Sequence, residues 1–451
     1  MKQLLAYCLS IILCVSFTGC MENYLDLYPE DKITSASFPE NESDIKLLLN
    51  GVYAQLREKE VYNQGLFGFG ITDGATPNAF NWGTDEVFNK LGAGRLSSSD
   101  GGVVTYRWKR CYEIISRANY LLACMDLVDL SEEAKAKYSG ETHFLRGLAY
   151  SVLAETYGGV PIILTNISTE EARSLKRASL EETWQQALDD YEVAITNLGV
   201  DAPEPGRATK GAALGMKMRA YLYQGKYKEV LACVEQIDAL KKYGLFHSYE
   251  GLFDPANENN KEVLFDIQYI EGENSQGSYI DQYCGTGTGS WTRGSRYVPT
   301  DDLVAAYETI DGSPVDPENP YENRDPRLGF TAVLPGSYFL GYRFPNYLYP
   351  GGAFNHAGNR LKHLSTRKYR IQDESKLPPS GQSYINDIIL RYADVLLSKA
   401  EAIIETNGNV ADAIAILNRI RTERDDVKIS LLPTSMSREE AREKVRHERR
   451  I

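Results

Sequence analysis

Apolar residues recur at three- and four-residue spacing in several stretches of the chain, and each such stretch predicts a helix. In "RWKRCYEIISRANYLLACMD" the positions Ile114, Ala118, Leu121, Leu122 and Met125 share one helical face. In "GETHFLRGLAYSVLAETYGGVP" the same holds for Phe144, Leu145, Leu148, Ala149, Val152 and Leu153, and Gly158, Gly159 and Pro161 stop the helix. "TKGAALGMKMRAYLYQGKYKEVLACVEQI" predicts two helices joined at "QGKY". Leu214, Met218, Tyr221 and Leu222 line the first; Val230, Cys233, Val234 and Ile237 line the second. "RYADVLLSKAEAIIETNGNVADAIAILNRIRTERD" repeats the plan, with an Asn-Gly-Asn turn before the helix of Ala413, Ile416, Leu417 and Ile420. Helix, short turn, helix, with alanines at the close contacts, is how tetratricopeptide-like pairs stack. The pattern therefore predicts a mainly α fold: irregular tetratricopeptide-like helical pairs with long loop-rich insertions.

Two stretches break the period. Residues 61–107 are rich in glycine, asparagine and aromatics, and so is the longer stretch 272–386. The second opens after "EVLFDIQYI", where Val263, Phe265, Ile267 and Tyr269 alternate as in a strand. Irregular segments this long within a domain are functional or disordered, and their many aromatics argue against disorder. At the other end, the apolar run from Leu4 to Phe17 is too short to cross a bilayer, which takes about 20 residues. Lys2 precedes it and Thr18 and Gly19 follow, the order of a secretory signal. Cleavage after residue 19 would leave Cys20 as the new N-terminus, as in a bacterial lipobox, so Cys20 is the expected lipidation site. The predicted organisation is a signal peptide at 1–19, a lipid-anchored tether at 20–43, an N-terminal helical region at 44–270 containing the 61–107 insertion, and a C-terminal region at 271–451.

Composition narrows the function. Charged residues make up 25% and the hydrophobic class 43% of 451 residues, as in a folded globular protein. A formal net charge of −13 argues against a nucleic-acid partner, which wants basic patches. Without Cys8, Cys14 and Cys20, the cysteines are Cys111, Cys124, Cys233 and Cys284; none forms a CxxC pair, so neither zinc nor thiol redox chemistry is indicated. The five histidines (143, 247, 356, 363 and 447) include no HExxH, and there is no GxSxG elbow. "CGTGTGS" lacks the lysine and the strand-to-helix setting of a phosphate loop. No cofactor or metal is implied, and a secreted hydrolase survives only as a minor alternative, through carboxylate pairs whose separation a sequence does not give.

Taken in order, several segments resemble the SusD/RagB family of surface lipoproteins: "YLDLYPEDKITSASF", "LLLNGVYAQL", "RWKRCYEIISRANYLL", "ETHFLRGLAYSVLAETYGGVPII", "VPTDDLVAAYETIDG", "NRDPRL", "ILRYADVLLSKAEAIIE" and "LNRIRTERD". The resemblance covers nearly the whole chain. It implies a SusD-like helical fold, no catalysis, and a place on the outer membrane, anchored by lipid and facing outward; Glu22 matches the acidic signal for that orientation. It also implies capture of an oligosaccharide, or of a peptide in the RagB-like alternative, and its delivery to a SusC-like TonB-dependent transporter. The family pattern continues past "HERRI", so part of the C-terminal core is expected beyond Ile451.

A sugar site needs flat rings for C–H faces and paired polar groups for hydroxyls. Two clusters meet that need, and by resemblance they lie where family ligand loops lie. The first, "TDGATPNAFNW", offers Asp73, Asn78, Asn81 and Trp82; the second, "YIDQYCGTGTGSWTRGSRY", offers Tyr279, Tyr283, Trp291 and Arg293, with Asp281, Gln282 and Tyr297 beside them. Trp108 and Trp184 fall in helical stretches and are expected in the core. For most of the 30 tyrosines packing is the expectation. Arg324, Asp325 and Arg327 of "NRDPRL" are expected to tie a turn together by ion pairs rather than touch ligand.

Overall fold

The computed structural model describes residues 38–57, 73–81, 90–97, 99–271, 277–278, 297–340, 342–344, 364–378 and 382–451. Its helices are α1 (Glu42–Ala54), α2 (Val103–Cys124), α3 (Glu132–Tyr157), α4 (Thr169–Ser174), α5 (Leu180–Asn197), α6 (Lys210–Tyr223), α7 (Tyr227–Ala239), α8 (Asp301–Ala306), α9 (Pro326–Thr331), α10 (Tyr392–Glu405), α11 (Val410–Thr422) and α12 (Arg438–Arg450). The short strands are β1 (Ala79–Asn81), β2 (Val263–Ile267), β3 (Tyr297–Pro299), β4 (Ala332–Val333), β5 (Tyr338–Phe339), β6 (Tyr342–Arg343), β7 (Ser365–Thr366) and β8 (Asp387–Arg391). The long helices carry the apolar period of the sequence and pack on their chain neighbours: α2 on α3, α3 on α5, α5 on α6, α6 on α7, and α10 on α11. Their starts follow local chemistry. Ser131, Ser179, Thr209, Asn409 and Ser437 each accept a backbone N–H of the first turn, and Ser179 and Ser437 complete capping boxes with Glu182 and Glu440.

The exit of α3 shows why two glycines stand together. Gly158 takes φ +78°, and a Cβ on Gly159 would lie 2.0 Å from the Ala178 carbonyl oxygen. The chain passes there with room for hydrogen alone.

One large core runs through both halves of the chain, from Ile45, Leu49 and Val52 on α1 to Ala441 and Val445 on α12. Cys111, Cys124 and Cys233 are free thiols buried in it, so Cys233 is the small core residue its stripe predicted. The predicted strand forms as β2 and pairs antiparallel with β8, but Leu264, Phe265, Asp266 and Ile267 are all buried. With both faces covered, the alternation carries no inside–outside meaning here. Glu262, just before β2, accepts two bonds from the Arg424 guanidinium (2.6 and 2.8 Å) and one from Arg391 (3.0 Å), fastening the exit of α11 to this sheet.

The described residues of the irregular stretches include regular helix. Regular helix begins at Val103, inside the stretch expected to be loop until residue 107, and α8 and α9 lie within 272–386. A small separate core of Tyr249, Leu252, Phe253, Tyr369, Ile371, Ile385 and Val427 supports that side of the molecule. "NRDPRL" is structural. Arg324 donates to the carbonyls of Pro320, Val304 and Tyr307, while Arg327 forks onto Asp325 (Nη2–Oδ2 2.7 Å) and reaches Glu448 on α12 (2.5 Å). The ion-pair expectation thus holds for Asp325 and Arg327, whereas Arg324 serves backbone oxygens.

Among the described residues no helix is long and apolar enough to cross a membrane, and no cluster of histidine, cysteine, aspartate and glutamate could hold a metal ion.

Candidate ligand-binding face

Asp73, Asn78 and Asn81 all lie on a short ledge of the chain. A 3-10 turn at Asp73–Ala75 leads through Pro77 into β1, which pairs antiparallel with β3 in the register Ala79–Pro299, Phe80–Val298, Asn81–Tyr297. The ledge is fastened on its near side. Thr300 donates its N–H to the Asn78 carbonyl (3.0 Å) and its hydroxyl to the Pro77 carbonyl, and it also caps α8 through Leu303 N–H (3.2 Å). β3 lies beside β7, which in turn pairs with β4, so the ledge is continuous with the sheet fragments around the small core.

This pairing brings together one end of each sequence cluster. Trp82 is the next residue after Asn81 in β1, and Trp291 and Arg293 closely precede Tyr297 in β3. Trp82, Tyr279, Tyr283, Trp291 and Arg293 lie outside the described residues, as does Cys20; Asn81 and Tyr297 are described in backbone only.

Asp73 is solvent-exposed, yet enough protein surrounds it that partial desolvation raises its carboxyl pKa, against the pull of the Lys368 charge. The same ammonium sits 4.4 Å above the Phe253 ring and donates to the Tyr249 hydroxyl (3.1 Å), which anchors a positive charge behind the ledge. Asn78 is half-buried and spends its side-chain oxygen on Arg450 of α12 (2.7 Å), so that oxygen joins the ledge to the helical body. Phe80, within the first cluster, is a further exposed ring beyond the residues expected from the sequence. It sits in β1 opposite buried Val298, and 49% of its surface is exposed, a flat ring presented from a sheet edge.

The other tryptophans divide. Trp184 is buried, as expected. Trp108 is not a core residue: it is 37% exposed, and its ring leans on Tyr112 (centroids 5.0 Å) and edge-on to Tyr157 (5.2 Å). Helical location does not imply burial; Trp108 falls beside, rather than on, the Ile114–Leu121 stripe of α2.

Comparisons with known proteins agree with this architecture. A family model described as SusD family matches residues 261–451, and one described as starch-binding, associating with the outer membrane, matches residues 23–222. The chain belongs to the SusD-like family. A SusD-like protein of Formosa agariphila is 26% identical over 457 residues, covering 93% of this chain and 81% of that protein. A SusD-like protein of Bacteroides ovatus is 24% identical, covering 90% and 73%. Among solved structures, a SusD-like carbohydrate-binding protein of Bacteroides fragilis has a TM-score of 0.78 at 26% identity, with 91% of this chain and 83% of that one covered. A second SusD-like protein of the same species has a TM-score of 0.78 at 27% identity, covering 94% and 86%. The helix-rich SusD-like fold expected from the periodicity is the fold found, and the family is non-catalytic, so the protein is not an enzyme.

Proposed function

We propose that this SusD-like protein binds an oligosaccharide on the ledge where β1 meets β3, holds it without cleaving it, and passes it to a SusC-like TonB-dependent transporter. Its seat would be the outer face of the outer membrane, anchored through lipid on Cys20. The observation that carries the reading is the β1–β3 pairing. Two clusters that independently have the make-up of a glycan site, Asp73–Trp82 and Tyr279–Tyr297, each reach one of these strands: Ala79–Asn81 belongs to the first, and Tyr297, the last residue of the second, opens β3. Phe80, Trp82 and Trp291 would supply the rings, with Asp73, Asn81, Tyr279, Tyr283 and Arg293 the hydroxyl partners. The relative of known structure described as carbohydrate-binding supports the ligand class.

Magnitudes set the affinity expected. If a ring on a sugar face is worth about 1 kcal/mol, as an aromatic pair is, a few stacks and hydrogen bonds less ordering costs reach about −4 to −8 kcal/mol. That is a millimolar to micromolar dissociation constant. Trp82→Ala and Trp291→Ala are each expected to weaken oligosaccharide binding about fivefold, and the double variant more than either, with unchanged melting behaviour. Calorimetric titration checks this. Wild-type affinity in the double variant would remove the ledge as the site.

A further inference from the structure

A second recess lies away from the ledge, among the long helices. Arg107 of α2, Ser151, Val152, Glu155 and Thr156 of α3, Trp184 of α5, and Met216, Arg219, Ala220 and Tyr223 of α6 enclose a cavity of about 220 Å³. Its floor is buried Trp184. Its rim is Tyr223, 52% exposed, whose ring stands 6.5 Å from the indole at 58°. The two rings and the Val152, Met216 and Ala220 side chains form an apolar wall.

The charges opposite that wall are unusual. Nε of Arg107 is sealed from solvent with no hydrogen-bond partner, and among the described residues its guanidinium has neither a hydrogen bond nor an ion pair. A buried guanidinium donor without an acceptor costs stability unless something supplies one. Arg219 is held in place by Asp394 (Nη2–Oδ2 2.7 Å) and by the Ile389 carbonyl (3.0 Å), with Arg449 on the far side of the same carboxylate. The recess therefore holds one free cation and one braced cation. Glu155 stands at the mouth, exposed and also without a hydrogen-bond partner among the described residues. Partial burial raises its pKa, opposed by the charges of Arg219 and Arg107.

The geometry points to a second binding site in this recess, for a small organic carboxylate carrying a flat or apolar face. The guanidinium of Arg107 would fork onto the carboxylate with Arg219 beside it, and the ligand's flat face would lie against the wall formed by Trp184 and Tyr223. At about 220 Å³ the space is below the roughly 300–1,000 Å³ of sites for larger ligands, so it admits a single unit and not a chain. It differs from the ledge in place, in charge and in ligand size.

The probes are glucuronate and phenylacetate, with glucose as the uncharged control, titrated into the millimolar range against the Trp82→Ala/Trp291→Ala variant. Indole fluorescence then reports Trp108 and Trp184 alone, and binding does not depend on the ledge. Saturable binding of either acid and none of glucose is expected; the acid preferred tells whether a sugar acid or an aromatic acid is the natural shape. Arg107→Gln, which breaks no hydrogen bond or ion pair among the described residues, should weaken that binding about tenfold. Glu155→Gln should tighten it about fivefold by removing a like charge. No binding of either acid would overturn the proposal, as would equal affinity in Arg107→Gln or weaker binding in Glu155→Gln.

Discussion

Replacing Glu448 with alanine is expected to destabilise the protein by about 3–5 kcal/mol, the cost of removing one partner from a buried ion-pair network. Glu448, 3% exposed on α12, accepts from Arg327 with one oxygen (2.5 Å) and from Arg421 with the other (3.1 Å). Arg327 keeps Asp325, and Arg421 keeps Glu308 (2.6 Å) and the Ser430 carbonyl (2.9 Å). The deletion would leave two sealed guanidiniums one carboxylate short, in a place water does not reach. Glu443→Ala is the contrast on the same helix. Its pair with Arg446 is 63% exposed on both sides, so a loss of about 0–1 kcal/mol is expected. Urea unfolding of the two variants measures the difference, and a Glu448→Ala loss no larger than that of Glu443→Ala would contradict the network's role. Glu308, at the edge of the network, adds an acid limb. Burial acts to raise its pKa, but the bonds and charges of Arg421 and Lys444 outweigh this and hold it at about 2, below its ordinary 4.5. Its contribution is present above about pH 4.5 and is lost as pH falls toward 2.

Asp387→Asn is expected to do the opposite of most core substitutions and stabilise the protein at alkaline pH. Asp387 begins β8 beside Asp266, and both are buried. Burial, with the Asp266 charge adding to it, pushes the Asp387 carboxyl from its ordinary 3.8 up to about 7. Burial likewise lifts Asp266 to about 6, against bonds donated by Gln268 (2.6 Å) and Asn386 (3.1 Å). A carboxyl with a raised folded pKa keeps its proton after the unfolded chain has lost it. Stability therefore falls as pH rises from about 4 to about 7, and is level beyond. At about 1.4 kcal/mol per pH unit the full penalty is about 4 kcal/mol, and sharing of charge with Asp266 brings the expected gain of Asp387→Asn at pH 8 to about 2–4 kcal/mol. Melting curves from pH 4 to pH 8 check it. The wild-type and variant curves should converge at the acid end and separate with rising pH; parallel curves would mean Asp387 is not buried as a neutral acid.

Local periodicity made the helical body legible. Val230, Cys233, Val234 and Ile237 on α7 lie on a stripe whose 3.6-residue spacing reports the buried side directly, whereas α3 is buried all round from Phe144 to Ala154. Periodicity fails at Trp108, where helical location does not bring burial. It did not reach the ledge: β1 and β3 are three residues each, too short to show a period, and their fastening bond from Thr300 to Pro77 spans 223 positions. Long-range pairings of that kind leave no mark in a single sequence. The partner of Arg327 was hidden for the same reason, since Glu448 stands 121 positions away. What composition could report was that Asp73–Trp82 and Tyr279–Tyr297 have the rings and polar groups of a sugar site; that strands leading from the two clusters pair was visible only in three dimensions. The recess at Arg107 escaped because its members are divided among four helices that meet only in the fold.

The central claim, capture without cleavage, is tested most directly by incubating the chain lacking residues 1–20 with a panel of oligosaccharides, following heat of binding and the products together. The account predicts saturable binding of at least one oligosaccharide in the millimolar to micromolar range, with that oligosaccharide recovered intact. Shorter products accumulating with turnover, or no oligosaccharide bound at all, would contradict it.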